Sequence, residues 1–308
     1  MADGRLRIIC GPTGAGKSAI ASDLCEAVNA AIISADSRQI YQGFDIGTAK
    51  PTRVERDRVT HYGIDVAKPE ERYSAARWVH DAHEWIACAD GVGKKPVVVG
   101  GTGLYIKALV NPLFSAPRID PQQRSELERE LETKSLTELR RWCEELDPVR
   151  AHLGRTQLVR AIETALLAGS RISDLHAEHN AAIALKAETD RPAYLVVDPG
   201  EALGSRLESR VDTMLEQGWA EEVRDLMRAV PPDAPAWKAS GYSVMREYID
   251  GALDLSSARQ RIIIETRQYA KRQRTWFRHQ LPPAAVTVVN PDDSRSREIV
   301  REWWERTE

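Results

Sequence analysis

The chain lacks the cysteine pattern of two common classes of small protein. Its four cysteines, at positions 10, 25, 88 and 143, include no C-x-x-C pair. This spacing excludes a zinc site built on paired cysteines and gives no disulfide framework.

Long apolar runs are also missing. The longest, such as residues 97–99, fall far short of a membrane span, so we expect no membrane segment. The first seven residues carry no apolar segment of the signal-peptide type. We therefore expect a cytoplasmic protein. No feature predicts an obligate protein partner, and we expect a monomer.

Neither sign of charge is in large excess. Lysine and arginine number 43 and aspartate and glutamate 46, which gives a formal net charge of −3. The whole chain is therefore not a general binder of polyanions, and any nucleic-acid surface must be local. The 308 residues, 42% hydrophobic and 29% charged, are typical of a folded protein with one large or two modest domains.

Strand and helix patterns alternate at both ends of the chain, which favours right-handed crossovers and a parallel sheet. Short apolar strands are predicted at 6–10, 30–35, 96–99, 193–197 and 286–289. Between them, helical spacing is typical of residues 19–28, 104–110, 201–217, 220–227 and 256–280.

The middle of the chain has a different texture, with Glu, Arg and Leu at helical spacing and few strand signals. We therefore predict an α/β fold, a P-loop parallel sheet flanked by helices and interrupted by a mostly helical insertion domain. Its predicted parts are a first core segment at 1–116, the insertion at 117–191, and a second core segment with a basic C-terminal helix at 192–308.

A glycine-rich loop follows the first predicted strand and matches G-x-x-x-x-G-K-[ST] at every fixed position. The match consists of Gly11, Pro12, Thr13, Gly14, Ala15, Gly16, Lys17 and Ser18. Backbone N–H groups of such a loop point at oxyanions, Lys17 places a charge on the terminal phosphates, and Ser18 can ligate Mg²⁺. The motif predicts a di- or triphosphate site, of ATP or another ligand, without naming which.

Asp36 follows the second predicted strand, at the edge where a parallel sheet binds ligands. We expect the first two strands to be neighbours, about 4.8 Å apart, which puts the carboxylate within reach of a phosphate held by the glycine-rich loop. Three roles stay open: holding Mg²⁺ through water, acting as a general base, or capping the next helix.

The residues after Asp36 favour a role in binding. Gln39 lies three positions on, and a side-chain amide suits the edge of an adenine. Ser37 and Arg38 add polar reach between them. The run that follows, residues 40–51, is too polar and too rich in glycine for a core element, which points to a substrate-facing loop.

With these motifs the chain resembles the bacterial tRNA dimethylallyltransferases, also called isopentenyltransferases. The segments that carry the resemblance are GPTGAGKS at 11–18, SADSRQIYQGFDIGTAKP at 34–51, VVVGGTGLYIKAL at 97–109 and TRQYAKRQRTWFR at 266–278. They occur in order and span most of the chain, and the second is far more specific than a P-loop.

The resemblance implies an enzyme that transfers a dimethylallyl group from dimethylallyl diphosphate to N6 of the adenosine 3′ of the anticodon of tRNA. The P-loop would then hold the donor's diphosphate, with Lys17 and Mg²⁺. Asp36 matches the family's general base, Thr102 a residue that contacts the diphosphate and the channel of the flipped base, and Arg224 a diphosphate-binding arginine.

The resemblance also implies that Gln39 contacts the target adenosine and that the insertion grips the anticodon stem. The basic segment 259–278 carries seven cations against one acid, so we expect its cations mainly to face phosphate and Trp276 and Phe277 mainly to be structural. The full set of expected tRNA contacts is Asp36, Ser37, Arg38, Gln39, Thr102, Arg124, Arg160, Lys271 and Arg274.

Two segments depart from the family pattern. Residues 154–163 lack an asparagine, and Ser243 stands where a cation is usual. The resemblance implies that both segments face tRNA. We therefore expect these differences to affect the affinity for tRNA, or the choice of tRNA, more than the chemistry.

Other functions fit the P-loop alone. A small-molecule kinase would use ATP without RNA, an RNA-binding NTPase would bind tRNA without modifying it, and a relative could prenylate free adenine nucleotides. The predicted strand at 96–99 ends in Gly100, Gly101 and Thr102 rather than in the Mg-binding aspartate common in P-loop hydrolases. The basic segment 259–278 speaks against a free nucleotide as acceptor.

Overall fold

The computed structural model describes residues 6–111, 119–177 and 192–307. The chain divides into two compact units, the first Met1–Val110 with Thr189–Glu308 and the second Asn111–Glu188. The borders predicted from the sequence, at 116–117 and at 191, lie outside the described residues.

A parallel sheet forms the centre of the first unit, and it confirms the predicted α/β fold class. The strands of the described residues, in chain order, are β1 Arg7–Cys10, β2 Ala30–Ser34, β3 His61–Tyr62, β4 Lys95–Gly100, β5 Ala193–Val197 and β6 Val286–Val289. In space their order is β3-β2-β4-β1-β5-β6, and every pairing is parallel.

Helices connect these strands and also build the second unit. In chain order the described helices are α1 Lys17–Ala27, α2 Arg53–Arg58, α3 Ala75–Gly91, α4 Gly103–Val110, α5 Pro121–Glu132, α6 Leu136–Leu146, α7 Arg155–Ala168, α8 at 172–177, α9 Leu203–Glu216, α10 Trp219–Ala229, α11 Tyr242–Ile249, α12 Leu255–Gln280 and α13 Ser296–Arg306. Within the described ranges, no helix is both long and apolar enough to cross a membrane.

The sheet is buried on both faces, which explains why its strands read as continuous apolar runs. Successive strand residues point to opposite faces. Ile9 accordingly packs in one cluster with Trp303 and Trp304 of α13, and Ile8 packs in another with Trp78 of α3 and Phe277 of α12.

The strand order places three loops at one edge of the sheet. Cys10 is in register with Gly100, and Ser34 with Val99, so the P-loop, the Gly100 loop and the Asp36 loop leave the sheet side by side. However, β4 lies between β1 and β2. The adjacency of the first two strands expected from the sequence is therefore wrong, and the width of one further strand separates Asp36 from the P-loop.

The second unit is helical in its described part and has a core of its own. Leu131, Leu139, Leu158 and Ile162 are buried there without contribution from a sheet. Arg155 closes the end of α5, because its guanidinium donates to the carbonyls of residues 131, 132 and 134.

Candidate active site

The P-loop connects β1 to α1 and holds the shape of an anion cradle. Gly11 has a φ of +145°, and a Cβ at this position would lie 2.3 Å from the carbonyl oxygen of Val197. Glycine is therefore required for the chain to turn here. Gly16 adopts the left-handed conformation just before α1 starts at Lys17, so the loop's backbone leads directly into the positive end of the helix.

Lys17 is half-buried in this cradle, and its ammonium donates to the carbonyl of Pro12 at 2.7 Å. Burial, and then the nearby Arg210, lower the pKa of Lys17 to about 8, while Asp36 opposes that shift. The lysine is thus a cation poised to gain an anionic partner.

A cavity of about 820 Å³ opens beside the cradle, and the described residues that line it all belong to the first unit. Its walls come from the P-loop, the loops after β2 and β4, and the helices α9 and α12. Among the lining residues are Thr13, Gly14, Gly16, Lys17, Ser18, Asp36, Arg38, Gln39, Lys50, Gly101, Arg210, Trp219, Trp237, Tyr269, Arg272 and Gln273. The structure therefore brings the cradle and Asp36 into one space, as the sequence predicts.

Asp36 closes a turn with one carboxylate oxygen. Its Oδ1 accepts hydrogen bonds from the backbone N–H of Arg38 at 2.8 Å and of Gln39 at 3.4 Å. No helix follows in the structure, so the capping interpretation applies to a turn rather than to a helix. The bonds fix the carboxylate in the wall of the cavity.

Thr102 ties the Gly100 loop to the Asp36 loop. Its backbone N–H donates to the carbonyl of Ala35 at 3.1 Å, and its hydroxyl accepts from the backbone N–H of Ser37 at 3.0 Å. Neither Thr102 nor Ser37 is among the residues that line the cavity. The geometry gives Thr102 a part in holding Asp36, and its contact with a diphosphate stays a prediction.

Gln39 lines the cavity, but its side-chain amide is engaged within the protein. The Nε2 donates to the carbonyls of Thr48 at 3.2 Å and Ala49 at 3.0 Å, and Oε1 accepts from the hydroxyl of Ser34 at 3.3 Å. In this conformation Gln39 holds the 48–49 turn, so an amide contact with adenine requires these bonds to be given up.

The run at 40–51 contributes to the core, contrary to the sequence expectation. Ile40, Tyr41 and Phe44 are each at most 4% exposed. Their burial is possible because the polar residues around them are satisfied: the ammonium of Lys50 donates to the carbonyl of Tyr41 at 2.7 Å and pairs with Asp45 and Asp65.

Arg224, expected to bind the diphosphate, does not reach the cavity. It is half-buried and pairs with Glu221 at 2.9 Å on α10. The residue that faces inward from the same segment is Glu222, which accepts from the backbone N–H of Asp45 at 3.0 Å and of Ile46 at 2.6 Å. Side chains two positions apart on a helix do not share a face, which explains the difference.

Arg210 of α9 does reach the cavity, unlike Arg224. It lines the cavity with Lys17 and Asp36, and burial lowers the pKa of its guanidinium. Within the described part of the chain this guanidinium has no hydrogen-bond or ion-pair partner. The sequence could have indicated Arg210 as a site residue, because it interrupts the apolar face formed by Leu207, Val211 and Met214.

The cations of the basic helix α12 divide into two groups. Four of them pair with carboxylates of the first unit: Arg259 with Asp212, Arg261 with Glu247, Arg267 with Glu208, and Arg274 with Asp198. In this structure these four cations, Arg274 included, face carboxylates, and their contact with phosphate stays a prediction. In the second group Lys271 and Arg278 are exposed, and Arg272 lines the cavity.

The two aromatic residues of α12 are structural, as expected. Phe277 is buried, and Trp276 packs edge-on against it with ring centroids 5.2 Å apart. Trp276 also covers Gly103, where a Cβ would lie 2.5 Å from the indole.

In the second unit, the two residues expected to contact RNA differ in whether their charge is already paired within the protein. Arg124 interacts with Glu128 at 3.1 Å and with the buried Glu163 at 3.5 Å, so its charge is partly neutralised. Burial raises the pKa of Glu163. Arg160 is exposed and available to a ligand.

The described fold has the arrangement that the P-loop motif predicts: a buried parallel strand, a glycine loop ending in Lys17 and Ser18, and a helix whose positive end faces a cavity. Comparison with known proteins narrows this class. The family model described as IPP transferase matches residues 39–280, and the model described as isopentenyl transferase matches residues 4–65.

Curated relatives agree with these models. A tRNA dimethylallyltransferase of Halorhodospira halophila is 40% identical over 288 residues, which cover 91% of this chain and 92% of the relative. One of a Cyanothece strain is 39% identical over 297 residues, which cover 94% and 93%. The chain belongs to the tRNA dimethylallyltransferase family, and it is an enzyme.

Solved structures support the same assignment. The crystal structure of a full-length tRNA isopentenylpyrophosphate transferase from Bacillus halodurans aligns with a TM-score of 0.68 at 30% identity, covering 98% of this chain and 95% of that one. Crystallographic snapshots of a eukaryotic dimethylallyltransferase acting on tRNA align with a TM-score of 0.75 at 25% identity, covering 93% and 73%.

Proposed function

We propose that this enzyme transfers the dimethylallyl group of dimethylallyl diphosphate to N6 of the adenosine 3′ of the anticodon in tRNA. One observation carries the proposal: two cations, Lys17 and Arg210, share a single cavity with the carboxylate of Asp36. The cations fit a leaving diphosphate, and the carboxylate fits an amine that must lose a proton.

The reaction needs an easily departing leaving group, because the lone pair of the exocyclic amine is delocalised into the adenine ring. As the allylic C–O bond breaks, negative charge grows on the diphosphate. Lys17, Arg210 and the backbone N–H groups of the cradle are placed to stabilise that charge in the transition state. Arg210 takes the role that the sequence suggested for Arg224.

Bond formation between N6 and the allylic carbon makes the amine acidic. We assign its proton to Asp36, whose carboxylate is held in the cavity wall by the turn it closes. The adenosine has to leave its stack to reach this carboxylate, which costs a few kcal/mol and costs least in a loop. Tyr269 and Arg272 line the cavity on the α12 side and offer an aromatic and a cationic contact to RNA.

Magnesium fits the donor set of the cradle. Ser18 offers a hydroxyl oxygen in the cavity, the kind of ligand that Mg²⁺ prefers, and Mg²⁺ usually completes its shell with water and substrate phosphates. When bound, the ion would neutralise part of the diphosphate charge.

A phosphoryl-transfer function is less well supported. The loop after β4 runs Gly100, Gly101, Thr102, so this strand end offers no carboxylate for a magnesium ion of the kind found in P-loop phosphotransferases.

Incubation of the protein with unmodified tRNA, Mg²⁺ and dimethylallyl diphosphate tests the proposal. We expect mass spectrometry to find one added C5H8 unit on a single adenosine. Asp36→Asn should lower the turnover by at least about 100-fold, because general-base catalysis is lost, and should leave the binding of tRNA and pyrophosphate unchanged. Asp23→Asn, at an exposed position of α1, is the matched control. Near-normal turnover of Asp36→Asn would exclude Asp36 as the base.

A further inference from the structure

We infer that Gln273 of α12 is a positioning residue, which locks the anion cradle to the loop that holds the general base. The inference rests on the proposed function, because it takes the cradle as the site of a diphosphate. It concerns a side chain that no step of the reaction above uses.

Gln273 forms two good hydrogen bonds to backbone atoms far away in the chain. Its Oε1 accepts from the backbone N–H of Thr13 at 2.8 Å, and its Nε2 donates to the carbonyl of Gly101 at 2.8 Å. The side chain is only 7% exposed. One partner is a donor and the other an acceptor, so the orientation of the amide is fixed, and a carboxylate or an ammonium would satisfy only one of them.

The two partners belong to the two halves of the site. Thr13 is part of the cradle, whereas Gly101 precedes Thr102, whose hydroxyl accepts from Ser37 beside Asp36. A continuous set of hydrogen bonds thus runs from the diphosphate loop through Gln273 to the loop of the base. The amide therefore sets the distance between leaving group and base.

Gln273 packs closely against the backbone of Gly101. A Cβ on residue 101 would lie 2.5 Å from Nε2 of Gln273, so a larger residue there would displace the amide from this position. Removing the amide leaves the part-buried N–H of Thr13 and the buried carbonyl of Gly101 without this partner, which costs more than the loss of an exposed bond.

The first test measures the affinity for pyrophosphate, by calorimetry on the whole protein. We expect Gln273→Leu to bind pyrophosphate about tenfold more weakly than the wild type, because the cradle loses its support. Gln280→Leu is the matched control, since Gln280 lies on the same helix and accepts an exposed bond from Lys107. Its affinity should equal that of the wild type.

The second test distinguishes positioning from a merely structural role. A protonated Glu at position 273 offers the same acceptor and donor as the amide, whereas the ionised form cannot donate to Gly101. Gln273→Glu should therefore recover donor affinity and turnover, relative to Gln273→Leu, as the pH falls from about 7 to 5. The other charged or titratable groups that line the cavity are Lys17, Asp36, Arg38, Lys50, Glu55, His61, Arg210, Lys238, Glu265, Tyr269 and Arg272. Both variants carry all of them, so their titration cancels in the ratio of Gln273→Glu to Gln273→Leu.

The outcomes separate this inference from the proposed function. If the wild type binds pyrophosphate and Gln273→Leu binds it equally well, Gln273 does not position the cradle. The same conclusion follows if Gln273→Glu and Gln273→Leu keep a constant ratio at every pH, or if the KM values for donor and tRNA rise together. Failure of the wild type to bind pyrophosphate would overturn both proposals.

Discussion

At the scale of single residues, Lys17 carries a charge that depends on pH in an accessible range. Burial and Arg210 lower its pKa to about 8, so the ammonium keeps its proton below that pH and loses it above. An anion in the cradle favours the charged form. The affinity for a diphosphate therefore depends on the proton that Lys17 carries.

This leads to a prediction for Lys17→Arg. A guanidinium stays charged throughout, so the affinity of the variant for pyrophosphate, divided by that of the wild type, should rise between about pH 7 and 9.5, by up to about tenfold per pH unit above 8. Calorimetric titrations of both proteins in the same buffers provide the ratio, in which the titration of the ligand itself cancels. A ratio that does not change with pH would mean that Lys17 does not titrate in the free cradle.

The residues of the site differ in how well the sequence predicts them. Lys17 and Asp36 follow strand ends in recognisable motifs, so a local pattern is enough to find them. Arg210 and Gln273 are single polar residues on helix faces that are otherwise apolar. Such a residue is visible in the sequence, but only the packing of the helix shows whether it faces a cavity, a neighbouring loop or solvent.

At the scale of elements, α12 shows why a basic segment is not by itself an RNA-binding surface. Arg259 and Arg267 pair with Asp212 and Glu208 of α9, and Arg274 pairs with Asp198 after β5. These ion pairs join α12 to α9 and to the loop after β5. The charge left for RNA is that of the exposed Lys271 and Arg278 and of the cavity-facing Arg272.

Two alanine variants of α12 should therefore behave differently. Lys271→Ala should reduce the slope of tRNA affinity against salt concentration, on logarithmic axes, by about one, because one phosphate contact is lost. Arg274→Ala should leave that slope unchanged and lower the melting temperature, because Asp198 loses its partner. Filter binding at several salt concentrations measures the slope. An equal loss of slope in both variants would place Arg274 on the RNA after all.

Some elements could not be predicted from the sequence, because local patterns do not show which residues meet in the folded chain. The strand β3 has only two residues, His61 and Tyr62, too few for a periodic pattern. The segment from Ile40 to Phe44 looked polar because its apolar residues are interleaved with glycine and amides. Its burial depends on Lys50, and this side chain reaches its partners Asp45 and Asp65 only in the folded loop.

At the scale of the whole molecule, the fold class follows from alternation of strands and helices, but the strand order does not. A parallel sheet was predicted from apolar runs that are buried on both faces. The position of β4 between β1 and β2 depends on pairing between strands far apart in the sequence, which local patterns do not encode. This strand order separates the cradle from Asp36 by one strand, and the cavity that both face lies there.

Each of the two units has its own core, and this separation leads to a prediction about the insertion. Leu158 of α7 is fully buried in the core of the second unit, so Leu158→Ala should cost about 2–5 kcal/mol of that unit's stability. The residues of the cavity all belong to the first unit, so the affinity for pyrophosphate should not change. If the insertion grips tRNA, transfer to tRNA should fall while donor binding persists.

Leu166→Ala, at an exposed position of the same helix, is the control. Calorimetry and the transfer assay report the two effects, and a parallel loss of pyrophosphate affinity would contradict the independence of the two units.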